Sequence, residues 1–160
     1  MKKILISVTV ALFLPVGTAN ALTAPELQEG LWSIHTRSVT NHGNKKNDAT
    51  YTLCRNHAYD KEAESIVKNM KGCTTVNESS VSGKFSSEMR CTVGNSVITT
   101  KGTGTVSNTS SHSESNATYT PAMYGMSDLA VTQDQKYVGS CPDGMRPGDT
   151  MKPDGSIIHR

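Results

Sequence analysis

Four cysteines, Cys54, Cys73, Cys91 and Cys141, constrain this chain more than any other feature. All of them follow an N-terminal segment with the marks of an export signal, and an even number of cysteines in an oxidising compartment reads first as two disulfides. Sequence alone leaves three connectivities open. The pairing Cys73 with Cys91 is favoured, because Ser82-Gly83 lies midway between them and a turn there sets both cysteines on paired strands. Cys54 then meets Cys141. A zinc reading of Cys54-x-x-His57 lacks a second closely spaced ligand pair.

Residues 1–21 carry the export reading. Lys2 and Lys3 form a positive start, Ile4 to Val16 a short apolar run, and Ala19-Asn20-Ala21 a small-x-small cleavage site. Residues 22–160 are then expected to form a single small domain, periplasmic or secreted, in a bacterium. The apolar run is shorter than the ~20 residues that span a bilayer, and no later run approaches that length, so no membrane insertion is expected. No cysteine is placed for a lipid anchor. The formal net charge of +2 includes Lys2 and Lys3, so the mature chain is neutral. Neutrality without a Lys/Arg cluster argues against nucleic acid, whose binding needs several cationic phosphate contacts.

Only 35% of the residues are hydrophobic and 5% aromatic, while roughly a quarter are Ser or Thr. That composition makes a thin core and favours strands over a helical bundle. Trp32 and Ile34 alternate with His35 and Arg37, the pattern of a half-buried strand, and Ala49, Tyr51 and Leu53 repeat it. One helix is expected over about 60–70, with Asp60 as N-cap, Ala63, Ile66, Val67 and Met70 as its apolar stripe, and Gly72 ending it. Phe85, Ser87, Met89, Cys91 and Val93 then share one face of the clearest strand. Gly94-Asn95 and Asn108 to Ser110 turn the chain again. The expected architecture is mainly β: an antiparallel meander sheet or partial barrel, stapled by disulfides. Polar residues 107–120 read as an exposed or edge strand. Residues 140–160 hold three Pro/Gly turn units and read as a coil tail pinned at Cys141.

Gly30-Leu31-Trp32, the single cysteines Cys54, Cys73 and Cys91, and the closing Tyr137-Val138-Gly139-Ser140-Cys141-Pro142 with Met145-Arg146-Pro147-Gly148-Asp149 resemble the bacterial exported family catalogued as domain of unknown function 3617. The resemblance spans nearly all of residues 22–160. Ser33 departs from it, since the family often has an acidic residue after the tryptophan. What it implies is a small secreted or periplasmic domain, with no established activity, cofactor or catalytic residue to carry over.

Chemistry is sparse. No Gly-x-Ser-x-Gly turn occurs, and the cysteines have better partners in one another than in substrate, so no catalytic residue and no cofactor are expected. His112 and Glu114, two apart, fall on one strand face and are the metal-ligating candidates. Glu62 and Glu64 project differently from a helix and read as a solvated face. Trp32 reads as core. Met123, Tyr124 and Met126 cluster in the expected loop 122–128 and are the partner-contact candidates. The leading expectation is a non-enzymatic periplasmic binding or adaptor protein, its partner an envelope protein or glycan. The alternatives are a metal-dependent envelope protein or enzyme using His112 and Glu114, or an inhibitor of an envelope-directed enzyme such as lysozyme, the last by fold analogy alone.

Overall fold

The computed structural model describes residues 25–41 and 44–160; the segment read as an export signal lies outside them, as do His42 and Gly43 of the first polar loop. The described chain runs β1 (Gly30–Thr40), β2 (Lys45–Arg55), α1 (His57–Lys68), β3 (Cys73–Val81), β4 (Lys84–Val93), β5 (Ser96–Val106), β6 (Ser110–Met123), β7 (Met126–Gly139), β8 (Thr150–Met151) and β9 (Ile157–Ile158). Its strands form one antiparallel sheet in the order β3-β4-β5-β6-β7-β1-β2-β8-β9. The sheet is open: β3 and β9 are its edges, and they do not pair.

Local chemistry makes the meander. Ser82-Gly83 and Tyr124-Gly125 both hold positive φ at two successive residues, which matches the right-handed twist of the strands they join. Together with a bulge at Val76, the Ser82-Gly83 turn sets Cys73 directly opposite Cys91, and these two form a disulfide. Cys54 is bridged to Cys141, which fastens the segment after β7 across β2. Backbone bonds continue that seam, from the Cys54 amide to the Asp149 carbonyl (3.0 Å) and from the Gly148 amide to the Cys54 carbonyl (2.8 Å).

Alternation gives the sheet one dry face. Trp32 and Ile34 of β1, Leu53 of β2, Phe85 and Met89 of β4, Ala117 and Tyr119 of β6 and Val131 of β7 are all buried on it. Leu27, Trp32, Phe85 and Val106 form the central cluster, with Tyr137 edge-on to Trp32 at 6.2 Å. In a flat sheet, β1 and β4, four places apart, would be separated by roughly 19 Å at about 4.8 Å per strand. Their sharing one cluster with Leu27 therefore requires the sheet to curl.

Residues 107–120 correct the expectation of an edge strand. β6 lies inside the sheet, bonded to β5 and β7 along nearly its whole length. Its inward Ser111, Ser113 and Ser115 face Val106, Gly104 and Gly102, so small side chains occupy the place where the sheet bends. Gly104 is the tightest point. A Cβ there would overlap the His112 carbonyl oxygen and lie 2.5 Å from the Phe85 ring. Gly104→Ala is expected to cost about 1–3 kcal/mol through overpacking. Urea denaturation measures it, and an unchanged midpoint would mean that both the Phe85 ring and the β6 backbone at His112 give way freely.

The helix also starts earlier than expected. Asn56, not Asp60, is the N-cap, its side chain accepting from the Tyr59 amide at 2.8 Å, and the helix closes at Asn69, before Gly72. Asp60 is occupied elsewhere, as the partner of Arg55. Residues 140–160 are coil as expected, apart from the two-residue strands β8 and β9 that extend the sheet beyond β2.

Candidate functional site

No residue of α1 is buried, although its stripe is apolar. Ala63, Ile66, Val67 and Met70 face the sheet across a cavity of about 700 Å³ whose floor is Ile34, Leu53, Leu129 and Val131. Ile66 remains 54% exposed and Met70 40%. Two apolar surfaces of one chain thus face each other without closing, whereas protein interiors normally pack to the density of organic crystals. Thr36, Ser38, Thr40 and Asn47 continue the lining with small polar groups, and Met126 with Tyr51 and Tyr59 completes it. Burial, reinforced by the neighbouring Tyr59, raises the Tyr51 hydroxyl above the usual tyrosine range.

A buried polar chain underlies the cleft. Arg55, 1% exposed, donates from Nε and Nη2 to Asp60 Oδ1 (2.9 and 2.7 Å) and from Nη1 to Gln135 Oε1 (3.0 Å). Gln135 Nε2 donates to Gln133 Oε1 (2.8 Å), and Gln133 Nε2 to Thr36 Oγ1 (3.2 Å) on the cleft floor. The guanidinium also lies 5.1 Å from the centroid of the Trp32 ring. Burial raises the Asp60 carboxyl above the usual range, an effect that the Arg55 charge opposes. This network fixes where α1 starts, and so where one wall of the cleft stands. Its signal in the sequence is Gln133-x-Gln135, two amides that continue the inward rhythm of Val131 where apolar residues are expected.

The residues singled out from sequence are dispersed. Tyr124 and Gly125 are the turn residues of the β6–β7 hairpin, not part of a longer loop, and Met123 pairs with Met126 across it. Tyr124 is 86% exposed, while Met126 lines the cleft, so the cluster divides between solvent and cavity. Asn41 holds this hairpin to the β1–β2 loop, donating to the Gly125 carbonyl (2.8 Å) and accepting from the Ser127 amide (3.0 Å).

His112 and Glu114 do share a strand face, the one opposite the cleft, with Nε2 and Oε1 3.5 Å apart. His112 Nδ1 is bonded to Asp134 Oδ1 at 2.7 Å, and Arg37 stands 3.7 Å from the same carboxylate. The Asp134 bond, with Glu114, raises the His112 pKa despite some burial. Nearby, His35 is bonded to Asp48 at 2.7 Å. Among the described residues no group of three or more His, Cys, Asp or Glu is placed to hold a metal ion, and no helix is long and apolar enough to cross a membrane.

Comparison with known proteins adds a family and nothing finer. No curated protein matches the chain, and no solved structure does. The model of the family described as "Protein of unknown function (DUF3617)" matches residues 27–141, from Leu27 of the central cluster to the Cys141 that closes the long disulfide, and the chain belongs to that family.

Proposed function

We propose that this chain is a non-enzymatic binding protein of the cell envelope, exported through residues 1–21, whose cleft receives the apolar part of a small molecule. The observation that carries this reading is the unfilled space of about 700 Å³ between the stripe of α1 and the sheet. Its size is within the usual range of about 300–1,000 Å³ for small-molecule sites. A polypeptide helix is a poor fit, since a cylinder about 10 Å across takes roughly 420 Å³ per turn and the space holds fewer than two turns. The two disulfides suit an oxidising compartment outside the cytoplasm.

The test is fluorescence of N-phenyl-1-naphthylamine, a neutral apolar dye that brightens in dry surroundings. Disulfide-intact protein is expected to enhance it saturably. Ala63→Phe, which projects a ring from the helix wall into the cleft, is expected to weaken dye binding about tenfold, or roughly 1.4 kcal/mol. The same change should alter stability little, because Ala63 is only half-buried. A dye signal absent from the parent protein, or unchanged in Ala63→Phe, overturns the reading.

A further inference from the structure

Among the described residues that line the cleft, Arg160 is the only charged one. Its guanidinium stands 5.4 Å from the Tyr59 ring centroid and donates to Glu62 in the two-pronged way that fits a carboxylate, Nη1 to Oε2 at 2.9 Å and Nη2 to Oε1 at 2.8 Å. We propose that the molecule bound in the cleft is a single-chain carboxylate amphiphile, and that Arg160 reads its head by exchanging Glu62 for the ligand carboxylate. This rests on the cleft reading above and adds the chemistry of the head.

Two features favour exchange. The backbone of Arg160 is anchored independently of its side chain: its amide donates to Asp149 Oδ1 (3.2 Å), and Asp149 Oδ2 also accepts from the Arg146 amide (2.8 Å) and is bonded to His159 Nδ1 (2.9 Å). Asp149 is itself buried, so the residue that carries the guanidinium is fixed at the cleft rim. Glu62, in contrast, flanks the apolar stripe of α1 one turn before Ile66, and its side chain is 57% exposed. The two-pronged geometry makes this pair stronger than most exposed ones, but solvent still screens it, so a ligand carboxylate that offers the same geometry and also brings an apolar chain into the cleft can displace it. The remainder of the described lining is uncharged, which suits an alkyl chain with one anionic head at Arg160.

The test sets dodecanoate against dodecanol, equal chains with different heads, in displacing N-phenyl-1-naphthylamine from the full-length protein. Dodecanoate is expected to displace the dye at about a tenfold lower concentration, the size of one charge-assisted contact. Arg160→Gln should abolish that preference while leaving dodecanol unaffected. Glu62→Gln, which removes the competing carboxylate, should strengthen dodecanoate about twofold to fivefold and leave dodecanol unaffected. Because the Glu62→Gln effect is a gain, it cannot be mistaken for unfolding. Equal displacement by both amphiphiles, or a preference that persists in Arg160→Gln, overturns the assignment of the head while the cleft reading stands. Failure of the dye and both amphiphiles to bind overturns both.

Discussion

Replacing Cys54 and Cys141 together by alanine is expected to cost about 4 to 5 kcal/mol, the chain-entropy value for a loop of this length. The bridge spans 87 residues, against 18 for Cys73–Cys91, whose removal should cost about 3 kcal/mol by the same reasoning. A domain of this size holds in total about 5–15 kcal/mol, so the larger loss removes between roughly a third and all of it. Geometry adds to the effect. The bridge holds the segment that carries Asp149 and Arg160 against β2, and Arg160 in turn ties Glu62 of α1. Dye binding in the cleft should therefore fall along with the urea midpoint. The Cys73/Cys91 variant should lose less stability and keep the Arg160 clasp; its bridge sits just beyond the other end of α1, where the Cys73 amide donates to the carbonyl of cleft-lining Met70 (3.2 Å). Equal midpoints for both double variants would contradict this account.

The features that could be read from sequence are those decided within a few residues. Ser82-Gly83 specifies a two-residue turn that sets Val81 opposite Lys84, and a bulge at Val76, which the sequence does not announce, then brings Cys73 rather than Thr74 opposite Cys91. Trp32 and Ile34 announce a buried face by alternation, and both are buried. The polarity of β6 reads as an exposed or edge strand, and the strand is exposed on one face but is no edge. It is interior because the hairpins before and after it pair it with β5 on one side and β7 on the other, while its exposed polar residues lie on the sheet's outer face. Serines facing glycines at the bend then satisfy the space that larger apolar residues would overfill.

The start of α1 was ambiguous in the sequence for a similar reason. Asn56 and Asp60 both have capping side chains, and only the demand of buried Arg55 for a carboxylate assigns Asp60 to the other task. The cleft could not be read at all. An amphipathic stripe on a helix predicts that something apolar will face it; that the sheet stops short of filling the gap depends on how far the Arg55 network and the Arg160 clasp hold α1 from the floor.

That network carries the second large effect. Arg55→Met is expected to destabilise the protein by about 3–5 kcal/mol, as does removal of one partner from a buried ion pair. Methionine replaces much of the packing against Trp32, so the loss is mainly electrostatic: Asp60 keeps a charge without a counter-ion, and Gln135 Oε1 loses its donor. Pairing the change with Asp60→Asn should recover part of the loss, giving a double variant more stable than the sum of the two single effects. Acidity supplies an independent signature. Burial already holds the Asp60 carboxyl above its ordinary 3.8, and without Arg55 it should rise further. A carboxyl whose folded pKa exceeds its unfolded value binds more protons when folded, so the variant loses stability as pH rises from about 3.8 through that raised value and regains it on acidification. The deficit of Arg55→Met relative to the parent should therefore narrow at acidic pH. A deficit constant with pH would mean that lost packing, not a stranded charge, is what the substitution costs.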